Sequence, residues 1–334
     1  MKILKNQMRL TVVTAVTAVC LGAAFPVSAL AAQLIPVGCA VGIEVDVDGV
    51  LVDQLREVET ENGTAQPAKS AGLKEGDVII GINGEDVDDL EDFAEELREH
   101  KGKTVTLTVM REAKTFTCEL TPVLSKDGEY RLGLWLRDKV AGIGTVTYYD
   151  PKSGEYGALG HGINDPESGT LIPITAGKTF DASVVDVVRG KSGDPGELTG
   201  SFDTGAVFGT VAGNTVYGIF GKCGNVNCGD VMETAAQGEA KVGAAQIIST
   251  VDGKEPRLYD IRIDKIRRSG GEERYQLTVT DPALLERTGG VVCGMSGSPI
   301  IQNGKLVGAV THVLVNDPTR GYGIFIENML DAAG

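Results

Sequence analysis

From residue 124 to the end, the chain is a succession of short alternating apolar runs divided by Gly, Asp and Asn. Examples are "RLGLWLRDKVAGIGTVTYYD", "GTVAGNTVYGIFG", "AKVGAAQIIST", "RLYDIRIDKI", "RYQLTVTD" and "KLVGAVTHVLV". Period-two alternation with a turn residue every few positions excludes a helical bundle and predicts a barrel or sandwich of short strands. Only "PALLERTGG" and "IENMLDAA" read as helices there, and Trp135, in an alternating strand, is expected in the core. At 334 residues the chain has room for a second core. Its net charge of −15 supplies no basic face for phosphate, so nucleic acid is not an expected partner.

Residues 36–123 have a different texture. "VGIEVDVDGVLV" alternates around Val-Asp-Gly and reads as a hairpin; a short helix closing at Gly72, a strand at 78–82 and an Asn83-Gly84 turn follow. Leu90, Phe93, Ala94 and Leu97 share one face of a helix. Ahead of this module, Lys2, Lys5 and Arg9 precede an uncharged stretch from Leu10 to Leu34. "ALA" at 29–31 offers a signal-peptidase site, so residues 1–31 are expected to act as a signal peptide or as a membrane anchor. The rest of the chain is then exported.

Beyond Cys20, the cysteines at 39, 118, 223, 228 and 293 form no dense framework. Cys223 and Cys228 flank "GNVN", a local disulfide or half of a metal site, but no second pair accompanies them. No metal and no cofactor is expected.

"CGMSGSPII", residues 293–301, places two serines in a small-residue turn that enters an apolar strand. A serine nucleophile needs backbone N–H donors from itself and from a glycine two residues earlier, and Gly294-Met295-Ser296 has that spacing. Ser298 has Ser296 in the glycine's place and Pro299 directly after it, which leaves it a supporting role in the turn. Ser296 is therefore the candidate nucleophile, with Gly294 and Ser296 supplying the oxyanion-hole backbone. "PIIQNGKLVGAV" continues as a hairpin about Asn303-Gly304. The turn and hairpin resemble those of chymotrypsin-like serine peptidases.

Three histidines compete to be the base. His100 ends a charged helix as a cap residue, His312 reads as core or cleft wall, and His161, between Gly160 and Gly162, is the candidate. Spacing leaves Asp165, Asp181, Asp186, Asp203 and Asp281 all open as the acid.

Two resemblances narrow these choices. "SAGLKEGDVIIGINGEDV" resembles bacterial PDZ domains, which implies an α+β module over 36–123 that captures extended chain ends through the loop Val37, Gly38, Cys39, Ala40 and Val41. "YGALGHGIND", "GDPGE" and "TDPALLERTGGVVCGMSGSPIIQNGKLVGAVTHVLVNDPTRGYGIFIENML" resemble the stage IV sporulation protein B (SpoIVB) peptidase family over essentially the whole chain. The implied fold is mainly β, a PDZ domain followed by a chymotrypsin-like all-β peptidase domain at 124–334. The implied triad is Ser296, His161 and Asp281. The family also implies an exported endopeptidase in the forespore intermembrane space that cleaves itself and cuts a membrane-bound regulator of an intramembrane protease, leading to late sigma-factor activation. A non-catalytic secreted PDZ adaptor and an HtrA-like quality-control protease are the competing readings.

Overall fold

Two sixteen-residue strands, β2 (Ala40–Leu55) and β6 (Leu134–Tyr149), organise the molecule. The computed structural model describes residues 31–112, 114–166, 168–224, 226, 229–268 and 274–334. The expected leader at 1–31, except its last residue, and Cys228 lie outside these. In chain order the other main strands begin with β1 (Gln33–Pro36), β3 (Val78–Ile82), β4 (Val105–Arg111), β5 (Lys114–Leu120) and β7 (Glu155–Ala158). Next come β8 (Ile174–Val188), β9 (Glu197–Thr215), β10 (Gly218–Cys223), β11 (Gly243–Ser249), β12 (Arg257–Arg267) and β13 (Arg274–Val279). The chain ends with β14 (Pro299–Gln302), β15 (Lys305–Leu314) and β16 (Asp317–Phe325). Among the described residues, four helices are interspersed: α1 (Pro67–Ser70), α2 (Leu90–Glu99), α3 (Pro282–Thr288) and α4 (Ile326–Ala333).

The antiparallel pairings β2–β6–β7–β10–β9–β8–β2 return on themselves and form a first six-stranded ring. A second closed barrel follows the order β11–β12–β13–β16–β15–β14. Alternation builds both: along β13, Tyr275, Leu277 and Val279 are buried while their neighbours are only partly so. The mainly β architecture agrees with the sequence reading.

The PDZ unit grows out of the first ring. β2 passes from Val41, Ile43 and Val45, which pack with Val146 and Tyr156, to Val50 and Val52, which pack with Ile79, Phe93 and Leu107. The expected hairpin at "VGIEVDVDGVLV" is therefore one continuous strand. It is buried on both faces near each end, which in sequence mimics two short strands. Gly49 sits at φ +108, where a side chain would meet the Ile79 carbonyl at 2.5 Å. For the same reason the expected module edges at 36 and 123 do not fall between cores: residues 35–45 pack with the first ring, and Leu132 packs with the PDZ core. Asp77, fully buried, is held by the Arg111 guanidinium at 2.6 and 2.7 Å and accepts the Lys74 N–H, which anchors the loop before β3.

Candidate functional site

The Ser296 turn lies on top of the second barrel, just ahead of β14, and faces β6 of the first ring. Gly297, at φ +99, is as close to β6 as backbone allows: a Cβ there would lie 2.0 Å from the Thr145 carbonyl. Gly294, at φ +94, makes the turn above Leu198. Within the turn, Met295 N–H donates to Val292 O and Gly297 N–H to Val310 O. Among the described residues the N–H groups of Gly294 and Ser296 donate to nothing, so both remain available to an oxyanion.

Ser296, His161 and His312 line one cleft of about 510 Å³, together with Cys293, Val313 and Ile143. The Ser296 hydroxyl donates to the Thr311 carbonyl at 2.5 Å, so the resting serine proton points to the backbone and not to an imidazole. His161 follows β7. Its Nδ1 lies 2.8 Å from the Gly162 carbonyl. A carbonyl can only accept, so Nδ1 carries the proton and Nε2 keeps its lone pair, the tautomer a general base requires. Asn214 pins the segment after His161 with bonds to Ile163 N–H, Ile163 O and Ile172 O at 2.8–2.9 Å. Burial pushes the His161 imidazole below its ordinary range, opposed by the Gly162 bond. His312 is displaced the same way, by the cleft walls and then by His161, although its outer edge is open to solvent.

Asp281 is placed elsewhere. It is the N-cap of α3, accepting from Ala283 and Leu284 N–H at 2.9 and 3.0 Å, ahead of Pro282 at the first helical position. It does not line the cleft. "TDPALL" is a helix-start signal, and that local role accounts for the aspartate. The structure thus brings Ser296, His161 and Gly294 together and gives the orienting acceptor at His161 to the Gly162 carbonyl, which no sequence pattern announces. His100 caps α2 as expected, with Nδ1 donating to Glu96 O at 2.7 Å.

The expected peptide-binding loop also needs correction. Val37 and Gly38 donate to Thr147 O and Val146 O, and Ala40 and Val41 pair with β6, Val41 also with β8. Among the described residues the loop backbone is thus engaged by β6 along its length and by β8 at Val41. A groove lies instead between Leu132–Leu136 and Phe93 and Leu97 of α2. Here β6 pairs with β2 on one side and with no described strand on the other. Trp135, expected in the core, is 60% exposed at this groove with the Arg56 guanidinium 5.8 Å from its ring. "RLGLWL", a glycine between apolar residues entering a strand, was the available signal.

Paired β-barrels with a serine turn, an imidazole and two unengaged N–H groups at one cleft, joined to a PDZ unit, define a serine peptidase. The family described as SpoIVB peptidase S55 matches residues 128–330, and a PDZ domain matches residues 63–111. The chain belongs to the SpoIVB peptidase S55 family. It is similar to the zinc metalloprotease RasP of Bacillus licheniformis, 28% identical over 202 residues, 60% of this chain and 41% of that protein. It is also similar to a probable periplasmic serine endoprotease, DegP-like, of Bartonella henselae, 47% identical over 49 residues, 14% of this chain and 10% of that one. The chain spans less than half the length of either relative. Among solved structures, the active form of the Rv3671c protease from M. tuberculosis aligns with a TM-score of 0.35 and 16% identity, covering 58% of this chain and 75% of that one.

Proposed function

We propose that Ser296 is the nucleophile and His161 the general base of an exported endopeptidase of sporulation signalling. In this reading Ser296 turns from the Thr311 carbonyl towards Nε2 of His161, its Oγ bonds to the substrate carbonyl carbon, and its proton passes to Nε2. The carbonyl oxygen takes the negative charge and is received by Gly294 and Ser296 N–H. His161 then protonates the leaving amine, and water repeats the cycle on the acyl-enzyme. The observation that carries the reading is the set of unengaged N–H groups beside Ser296 in the same cleft as an Nδ1-protonated imidazole.

The groove at Leu132–Leu136 holds an extended chain end beside β6, either the enzyme's own or its target's. The target is a membrane-bound regulator of an intramembrane protease, and the enzyme works in the forespore intermembrane space after export by its N-terminal segment. Membership of the SpoIVB family supports this setting. N-terminal sequencing of the purified protein beside a Ser296→Ala copy tests activity and self-processing together. A start within the chain that is lost in the Ala copy is the expected result; identical starts in both would overturn self-cleavage.

A further inference from the structure

Every carbonyl from Gly294 to Gly297 has a donor. Gly294 O accepts from Thr145 Oγ1 at 2.8 Å, Ser296 O from Thr145 N–H at 3.0 Å, and Gly297 O from Thr147 Oγ1 at 2.7 Å. Met295 O accepts from Ser298 Oγ at 2.7 Å and from Ser298 N–H at 3.0 Å. A peptide unit is planar, so holding a C=O on one side aims the N–H on the other. The Met295 carbonyl and the Ser296 N–H are the two ends of one such unit. Whatever grips Met295 O therefore aims an oxyanion donor.

The proton count shows which way the grip runs. Ser298 Oγ is also 3.0 Å from Ser249 Oγ, and both serines are fully buried. A hydroxyl has one proton, and the Met295 carbonyl can only accept. The Ser298 proton goes to the nearer acceptor, Met295 O at 2.7 Å, and Ser249 Oγ is the competing acceptor at 3.0 Å. The Ser298 hydroxyl bond polarises the Met295–Ser296 amide and strengthens its N–H as a donor.

We propose that Ser298 is a positioning residue for the oxyanion hole. This rests on Ser296 being the nucleophile. The second serine of "GMSGSP" thereby has a task distinct from the first: it orients the Ser296 N–H without touching substrate. Because Ser298 N–H also holds Met295 O, loss of the hydroxyl weakens the hole and does not abolish it.

The test uses the full-length protein, diisopropyl fluorophosphate as a probe whose phosphoryl oxygen occupies the hole, and iodoacetamide as a probe of Cys293 in the same cleft. Ser298→Ala is expected to slow phosphorylation of Ser296 about 10- to 100-fold, less than the loss of a direct oxyanion donor. Ser249→Ala, which removes only the competing acceptor, leaves that rate within about twofold of wild type or raises it, and alkylation of Cys293 changes by less than about twofold in both. Should Ser298→Ala fail to fold, Ser298→Gly, which also lacks the hydroxyl, carries the test. Phosphorylation within twofold of wild type in the folded Ser298 variant would overturn the proposal. So would a loss matched by an equal change at Cys293, which would report a displaced turn. A wild type that is not phosphorylated at Ser296 would overturn the nucleophile assignment, and this inference with it.

Discussion

The rings of His161 and His312 lie 4.6 Å apart, tilted by 33°, so each imidazole forms part of the other's wall. Both are pushed below the ordinary histidine range, so both are neutral at neutral pH. The base must be neutral to accept a proton. Activity is therefore expected to be full at neutral pH and to fall on acidification with a midpoint below 6.5, read from kcat/KM against pH. His312→Ala admits water to the His161 ring and should move that midpoint upward, whereas His312→Phe keeps the wall and leaves it low. His161→Ala should cost about four to six orders of magnitude in kcat, on the scale of losing a base. A larger loss from His312→Ala than from His161→Ala would reverse the assignment.

Asp281 separates a capping role from a charge role. Asparagine caps a helix about as well as aspartate but carries no charge. Asp281→Asn is expected to retain activity within a few-fold, while Asp281→Ala lowers stability by about 1 kcal/mol. A triad aspartate replaced by asparagine loses about 10⁴ in kcat. Measuring kcat and thermal stability of both variants decides which role the residue has.

The serine turn was legible because its chemistry is local: Gly294, Ser296 and Pro299 fix the choice within six residues, and Asn303-Gly304, at φ +54 and +74, sets the following hairpin. The partners of that turn were not. Thr145 and Thr147 reach it from 149 and 150 residues away, and a threonine in a β-run gives no sign of the carbonyl it will meet. Trp135 and β2 misled for a related reason. Alternation reports which residues are covered, not whether the cover is a core, a groove or a second domain.

The shared strands change what removing the PDZ unit should do. Deleting 36–123 takes away β2, a member of the first ring, and is expected to leave an unfolded protein. Asp46 and Lys139 are register partners across β2 and β6. Replacing 48–138 by Asn-Gly closes those strands as a hairpin and keeps the ring. This shorter protein is expected to fold, by circular dichroism, and to react with fluorophosphate at Ser296. It should lose cleavage of its protein target, because the tether that raises the local substrate concentration is gone. Normal target cleavage by a folded excision variant would remove the positioning role given to the groove.

β1 sets a limit on N-terminal processing. Leu34 is 2% exposed and Ile35 pairs with Tyr149 of β6. A mature chain is expected to begin at or before Gln33, as mass spectrometry of the protein purified from its host would show. A start beyond Pro36 in active enzyme would mean that β1 is dispensable.

One measurement tests Ser296 as an activated nucleophile directly. Wild-type protein is treated with diisopropyl fluorophosphate at neutral pH, digested, and the adduct located by tandem mass spectrometry. The expected result is a single stoichiometric adduct on Ser296, absent from Ser296→Ala and from His161→Ala. No adduct, or an adduct on Ser298, would contradict it.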